Sequence, residues 1–210
     1  YEVTGLPEDA PEPAAFDLTA ALNQYLQTGL PEGWGMLAVD KFAAELLENP
    51  PFLLDVREPN EWDEGHIAGA VHIPLRELTK NLDLLPADLN TPIVIYCKSG
   101  HRGALGMVAL QVLGYTNVRN LSGGITAWTG AQYEVTTEAV EPVRGTPGAF
   151  DPAVVSAVES YVTGLPQGWG LLKADDLATE LLEKTPFLLD VREVAEWDEV
   201  GHLEGAVNIP

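Results

Sequence analysis

The chain has 210 residues, 46% hydrophobic and 20% charged, and its 11 basic against 32 acidic residues give a formal net charge of -21. No apolar run approaches the ~20 residues that span a bilayer, and so acidic a balance works against nucleic acid and anionic lipid surfaces, which are met by clustered Lys and Arg. The single cysteine cannot close an intrachain disulfide.

In chain order, residues 1–14 read as the end of a linker, with Thr4–Ala14 carrying Pro, Glu and Gly and expected to be exposed and semi-extended. Ala15–Gln27 is an expected helix, with Asp17 as cap and an apolar stripe at Leu18, Ala21, Leu22, Tyr25 and Leu26. The Gly-Leu-Pro-Glu-Gly segment then breaks the chain. Met36–Val39 reads as a short strand, and Asp40 as the cap of a helix to Glu48 with Phe42, Leu46 and Leu47 facing inward. Phe52–Val56 and Ala70–Ile73 read as strands, and Leu75–Leu85 as a helix that Pro86 helps to end. Ile93–Tyr96 is the plainest strand. A helix from about Arg102 to Leu113 follows, ended by Gly114. Asn117–Leu121 is a last strand and Ile125–Gly130 a last short helix. Strands alternating with helices predict an α/β domain with a mainly parallel sheet, in which ligands sit at the carboxyl ends of strands. Trp34, Trp62, Trp128, Trp169 and Trp197 are assigned to core or inter-helix packing, and the acids at 61–64 to a solvated face.

The chain also repeats itself. PFLLDVRE occurs at 51–58 and 186–193, EWDE at 61–64 and 196–199, and GHIAGAVHIP at 65–74 returns as GHLEGAVNIP at 201–210. The repeat divides the chain into a linker end (1–14), one full unit (15–132), a second linker (133–149) and the first half of a second unit (150–210). Half a unit leaves a strand edge without a partner. The expectation is therefore a piece of a longer tandem array, with further repeats as partners in the same chain or a neighbouring copy.

The cysteine lies in Tyr96-Cys97-Lys98-Ser99-Gly100-His101-Arg102-Gly103, at the end of the plainest strand. A thiol at a helix N-terminus beside cations ionises more readily than the free side chain. Successive loop amides are expected to point at the sulfur and at any group attached to it. Gly100 and Gly103 suit a tightly curled loop, Lys98 and Arg102 add charge, and Ser99 adds a hydroxyl. No carboxylate occurs between Asp88 and Glu134, a window holding Lys98, Arg102 and Arg119, which predicts a local positive field. His101 reads as a pocket wall or surface residue. His66 and His202 recur in the GH-x-x-GA segments and read as structural hydrogen-bonding groups, while His72 becomes Asn208, which argues against a metal there. No set of His, Cys, Asp and Glu has zinc spacing. The Gly123-Gly124 pair marks a turn before a helix.

Together, LLDVRE, GHIAGAVHIP, the strand with its CKSGHR loop, and LSGGITAW at 121–128 resemble the rhodanese superfamily of sulfurtransferases, over about Val39–Thr129 and again as far as Pro210. The resemblance implies a parallel five-stranded sheet with helices on both faces. It implies that Cys97 accepts a sulfane sulfur, becomes a persulfide, and passes the sulfur to a thiol or cyanide-like acceptor, with no cofactor. The loop from Lys98 to Gly103, with Arg102, would bind the persulfide. Arg57 would take a donor-binding role and Asp55 a supporting one. Arg102 follows Cys97 by five positions, the shorter loop that resembles sulfurtransferases; related phosphatases use a loop one residue longer. The loop's cations lean toward an anionic donor such as thiosulfate. Two other readings stand beside this one: a non-catalytic structural or interaction repeat, and a persulfide carrier or redox sensor. Few lysines and an acidic surface are compatible with export.

Overall fold

The computed structural model describes residues 19–210 apart from Ala21, Leu22, Gln24, Leu30, Pro147 and Thr185, in two compact units, Tyr1–Leu165 and Pro166–Pro210. The linker at Thr4–Ala14 and most of the helix expected over Ala15–Gln27, Asp17 included, lie outside the described residues.

In the first unit, β1 (Met36–Leu37), β2 (Phe52–Asp55), β3 (Val71–His72), β4 (Ile93–Tyr96) and β5 (Val118–Leu121) form one sheet of order β1-β5-β4-β2-β3 with every pair parallel. The strand at the middle of this order is β4, bonded to β2 and β5, and all four of its residues are buried. That is why its sequence is continuously apolar rather than alternating.

Both faces of the sheet are covered. Val94, Tyr96 and Leu53 pack with Phe42 of α1 (Val39–Glu48) and with Ile125 and Trp128 of α4 (Gly124–Gly130). On the other face, a Cβ on Gly106 of α3 (His101–Val112) would meet Ile95 and Leu75, so the glycine lets that helix lie close against β4. A further helix, α2 (Pro59–Asp63), has only five residues.

Several local expectations shift. Ala38, not Asp40, stands at the N-cap of α1, with Asp40 in its first turn, where its charge still suits the helix dipole. Leu47 is 88% exposed, because it sits five residues after the buried Phe42 and so turns off the inward stripe that Phe42 and Leu46 share. Leu75–Leu84 is a 3-10 segment, not an α-helix, and bends at Asn81, whose side-chain amide donates to the Glu77 carbonyl (2.9 Å). Leu75, Leu78 and Leu82 are still buried along one side. Trp34 is 53% exposed on a turn of left-handed residues (φ 58°), so it is not a core residue; Trp128 is.

The stretch 133–149 is bonded to the unit rather than free. His66 and Thr136 exchange both backbone hydrogen bonds at 2.8 Å, the Trp128 indole N–H donates to the Glu134 carbonyl (2.9 Å), and Arg144 pairs with Asp83. After it, α5 (Pro152–Gly164) is capped by Asp151 through the Ala153 amide (2.8 Å), with Pro152 at its first position. The sequence repeat assigns α5 to the second unit. It packs instead on the 3-10 segment and α3 of the first, burying Val158 and Val162, and the Arg76 guanidinium donates to the Leu165 carbonyl (2.6 Å).

The second unit contains α6 (Ala174–Glu183), β6 (Leu189–Asp190), α7 (Val194–Val200) and β7 (Val207–Asn208). Its parallel pairs Leu189↔Val207 and Asp190↔Asn208 reproduce the register Leu54↔Val71 and Asp55↔His72 of the first unit. The sequence repeat is thus also a repeat of strand pairing.

The Cys97 loop as a candidate active site

Cys97 stands at the carboxyl end of β4, and α3 begins four residues later. A sheet with helices on both faces leaves its strand ends as the place where loops converge. The Gly100 amide donates to the Cys97 sulfur at 3.2 Å. Gly100 has φ 102°, a conformation that side chains with a Cβ rarely adopt, and this turns its N–H back over the sulfur. The first intrahelical bond of α3 runs from the Ala104 amide to the Gly100 carbonyl (2.9 Å). The amides of His101, Arg102 and Gly103 therefore lack intrahelical acceptors and form the positive end of the helix dipole. The Gly100 amide is the one bonded to the sulfur at the loop's left-handed turn.

The loop's carbonyls are tied off from the other side. Ile125 donates its amide to the Cys97 carbonyl (2.9 Å) and Thr126 donates to that of Lys98 (3.0 Å). The start of α4 thus draws the oxygens away, which orients the peptide dipoles of the loop. Asn120, fully buried on β5, donates its side-chain amide to the Gly100 carbonyl (3.0 Å). Its position explains Gly103, where any Cβ would collide with the Asn120 side chain.

Gly124 is pressed against backbone rather than a side chain. With φ 57°, a Cβ there would overlap the Cys97 carbonyl oxygen and lie 2.8 Å from the Lys98 carbonyl carbon and oxygen. Gly124→Ala is expected to cost about 2–4 kcal/mol of stability, combining a left-handed alanine with a clash against backbone. Gly130→Ala, where nothing lies within 4 Å, is the matched control and should change stability by less than ~1 kcal/mol. Urea midpoints of the two variants check this; equal midpoints would refute it.

Arg102 is buried, and its guanidinium makes a bidentate pair with Glu61, at 2.5 Å and 2.7 Å. Burial pulls the Arg102 pKa down, but the Glu61 carboxylate and the adjacent Cys97 sulfur push it up more strongly, so it stays charged. The same hydrogen bond holds the Glu61 carboxyl below the usual range. The sequence places Glu61 with its acidic neighbours on a solvated face; that holds for the exposed Asp63 and Glu64 but not for Glu61. A helix-capping pattern was the available signal. The partner, 41 residues away, was not legible.

The acid-free window is consequently less positive than its sequence. Arg119 is also paired, in a bidentate contact with Glu45 (2.7 Å to each oxygen). Lys98 and Ser99 are exposed on the loop. His101 is half-buried, and its Nδ1 has no hydrogen-bond partner among the described residues.

Arg57 is buried, with its donors committed to the fold. Its Nε bonds both Asp55 oxygens (3.1 and 2.9 Å), one terminal nitrogen bonds Asp55 (2.7 Å) and the Gly65 carbonyl (2.8 Å), and the other bonds the Glu61 carbonyl (2.6 Å). Asp55 also accepts the Arg57 backbone amide (2.9 Å). The Tyr96 hydroxyl accepts the Ile67 amide (3.1 Å), and burial together with the nearby Asp55 carboxylate pushes its pKa well up, so it stays protonated. This network joins β2, β4 and the Gly65-His66 turn directly beneath the cysteine loop.

The histidines sit beside that network. Trp62 stacks on His66 (3.4 Å between centroids) and on His72 (4.7 Å). His72 Nε2 lies 2.9 Å from the Arg57 carbonyl, and in the second unit Asn208 donates to the Arg192 carbonyl at 2.8 Å. The His-to-Asn change between repeats therefore keeps one hydrogen bond. Asp190 and Arg192 likewise reproduce the Asp55–Arg57 pair.

A family model described as Rhodanese-like domain matches residues 39–131 and 173–210. Over 78 residues the chain is 40% identical to the uncharacterized protein YqhL of Bacillus subtilis, an alignment covering 37% of this chain and 60% of that protein. It is 38% identical over 76 residues to a protein of Allochromatium vinosum named sulfurtransferase, covering 36% of this chain and 69% of the relative. It is 33% identical over 70 residues to the thiosulfate sulfurtransferase PspE of Escherichia coli, covering 33% and 67%.

Proposed function

Since the chain belongs to the rhodanese-like domain family, we propose that it transfers sulfane sulfur through a persulfide on Cys97. The observation that carries this reading is the Gly100 amide on the Cys97 sulfur at the start of α3, with the buried Arg102 in the first turn of that helix. Amide dipoles and a buried cation stabilise a sulfur anion, whether a thiolate or the outer atom of a persulfide.

The chemistry is two substitutions at sulfur with no net redox change. The Cys97 thiolate attacks the outer sulfur of a thiosulfate-like donor; the new S–S bond forms as the donor's S–S bond breaks, and sulfite leaves with the electron pair. An acceptor thiolate or cyanide then attacks the outer sulfur of the persulfide, and the Cys97 thiolate leaves. Exposed Lys98 and Ser99 flank the approach and favour an anionic donor. The family sulfurtransferases named above support the reaction class. Arg57, with its nitrogens engaged by Asp55, Glu61 and Gly65, supports the floor of the site rather than the donor.

Incubation with thiosulfate, removal of excess donor and intact mass measurement should show a gain of about 32 Da that maps to Cys97 and disappears on adding cyanide. Loading without turnover would identify a persulfide carrier. No loading from thiosulfate or a polysulfide would leave the unit as a structural or interaction repeat.

A further inference from the structure

We propose that Glu61 is the positioning residue of this site, holding the Arg102 guanidinium against Cys97; the proposal rests on the sulfur-transfer reading above. Glu61 is the third residue of α2, and its Oε2 accepts the Glu58 backbone amide (3.1 Å) while Glu58 reciprocates. A carboxylate fixed at one oxygen by its own helix cap then offers both oxygens to Arg102. The bidentate fork fixes the plane of the guanidinium as well as its position.

This links two segments far apart in sequence. Arg102 belongs to the first turn of α3, which carries the cysteine loop, and Glu61 to a short helix packed beside the Asp55–Arg57 network. The helix cap alone does not call for the arginine. In the second unit Glu196 makes the same box with Glu193, and among the described residues no arginine sits on its carboxylate. The box forms there without an arginine, so the ion pair at Glu61 is an addition to the cap. Without the carboxylate, Arg102 would turn toward other acceptors, and its guanidinium would no longer be fixed in the first turn of α3.

The test is a double-mutant cycle of Glu61→Gln and Arg102→Lys in the full chain. The rate of Cys97 persulfide formation from thiosulfate is followed by mass, and alkylation by iodoacetamide is read in parallel. Glu61→Gln should slow persulfide formation about tenfold or more and alkylation about threefold, yet change either rate by less than about twofold in the Arg102→Lys background. A role confined to capping α2 would instead give effects that multiply, and multiplication, or a Glu61→Gln rate equal to wild type, overturns the proposal. Alkylation needs no sulfur donor, so a wild type that takes no sulfur would defeat the functional reading while the cycle still decides the role of Glu61. Unfolding midpoints are measured for all four proteins, and Glu61→Asp, one methylene too short to reach the Arg102 guanidinium from α2, replaces Glu61→Gln in the cycle if that variant does not fold.

Discussion

Thiocyanate formation from cyanide and thiosulfate should fall to the uncatalysed background in Cys97→Ser, a loss of at least ~10³-fold. The reason is chemical rather than steric. A serine hydroxyl is hardly ionised near neutral pH and forms no stable bond to a transferable sulfur, whereas a thiolate does both. The substitution should leave the fold nearly untouched. Cys97 is 1% exposed, the serine oxygen is smaller than sulfur, and the Gly100 amide keeps an acceptor. A stability change below about 1.5 kcal/mol is expected. Equal rates for the two proteins would remove Cys97 from the chemistry, and a collapsed urea midpoint would show that the cysteine is structural.

Arg57→Ala is the substitution expected to cost most in stability, about 3–5 kcal/mol. It leaves the Asp55 carboxylate fully buried without its cation, and it strips donors from the Glu61 and Gly65 carbonyls. A loss of that size is a large fraction of the ~5–15 kcal/mol that holds a domain together. The double variant Asp55→Leu with Arg57→Met should recover much of it, because a buried pair replaced by apolar groups of similar volume no longer contains an unpaired charge. Urea unfolding followed by circular dichroism measures both. If Arg57→Ala shifts stability by less than ~1 kcal/mol, the Asp55–Arg57 pair does not carry the floor of the site.

The sequence made the strand Ile93–Tyr96 legible to the residue, because a central parallel strand is apolar at every position and its pattern needs no partner to interpret. Gly114 likewise ended its helix within about a residue of the expected place. The helical stretch at Leu75–Leu84 was legible in its bounds, but its 3-10 type and its bend were not. Its leucines suit either helical period, and the bend depends on where Asn81 finds a carbonyl. Trp34 misled for a similar reason: its size argued for the interior, but a left-handed turn puts it outside.

What the sequence determined by itself was local: where strands alternate with helices, that Gly100 curls the loop after Cys97, and that two stretches of the chain repeat one another. These follow from backbone sterics and hydrophobic period, which act between near neighbours. Only the tertiary structure decided which charges meet. A window without a single acid predicts a positive field, yet Glu61 and Glu45 arrive from earlier helices to neutralise Arg102 and Arg119, and Asp55 takes Arg57. It also decided that α5 covers the first unit and that α4 pins the cysteine loop through its amides. Burying a charge is costly unless a counter-charge lies within hydrogen-bonding distance, and pairing depends on where the folded chain brings residues together, not on their spacing along it.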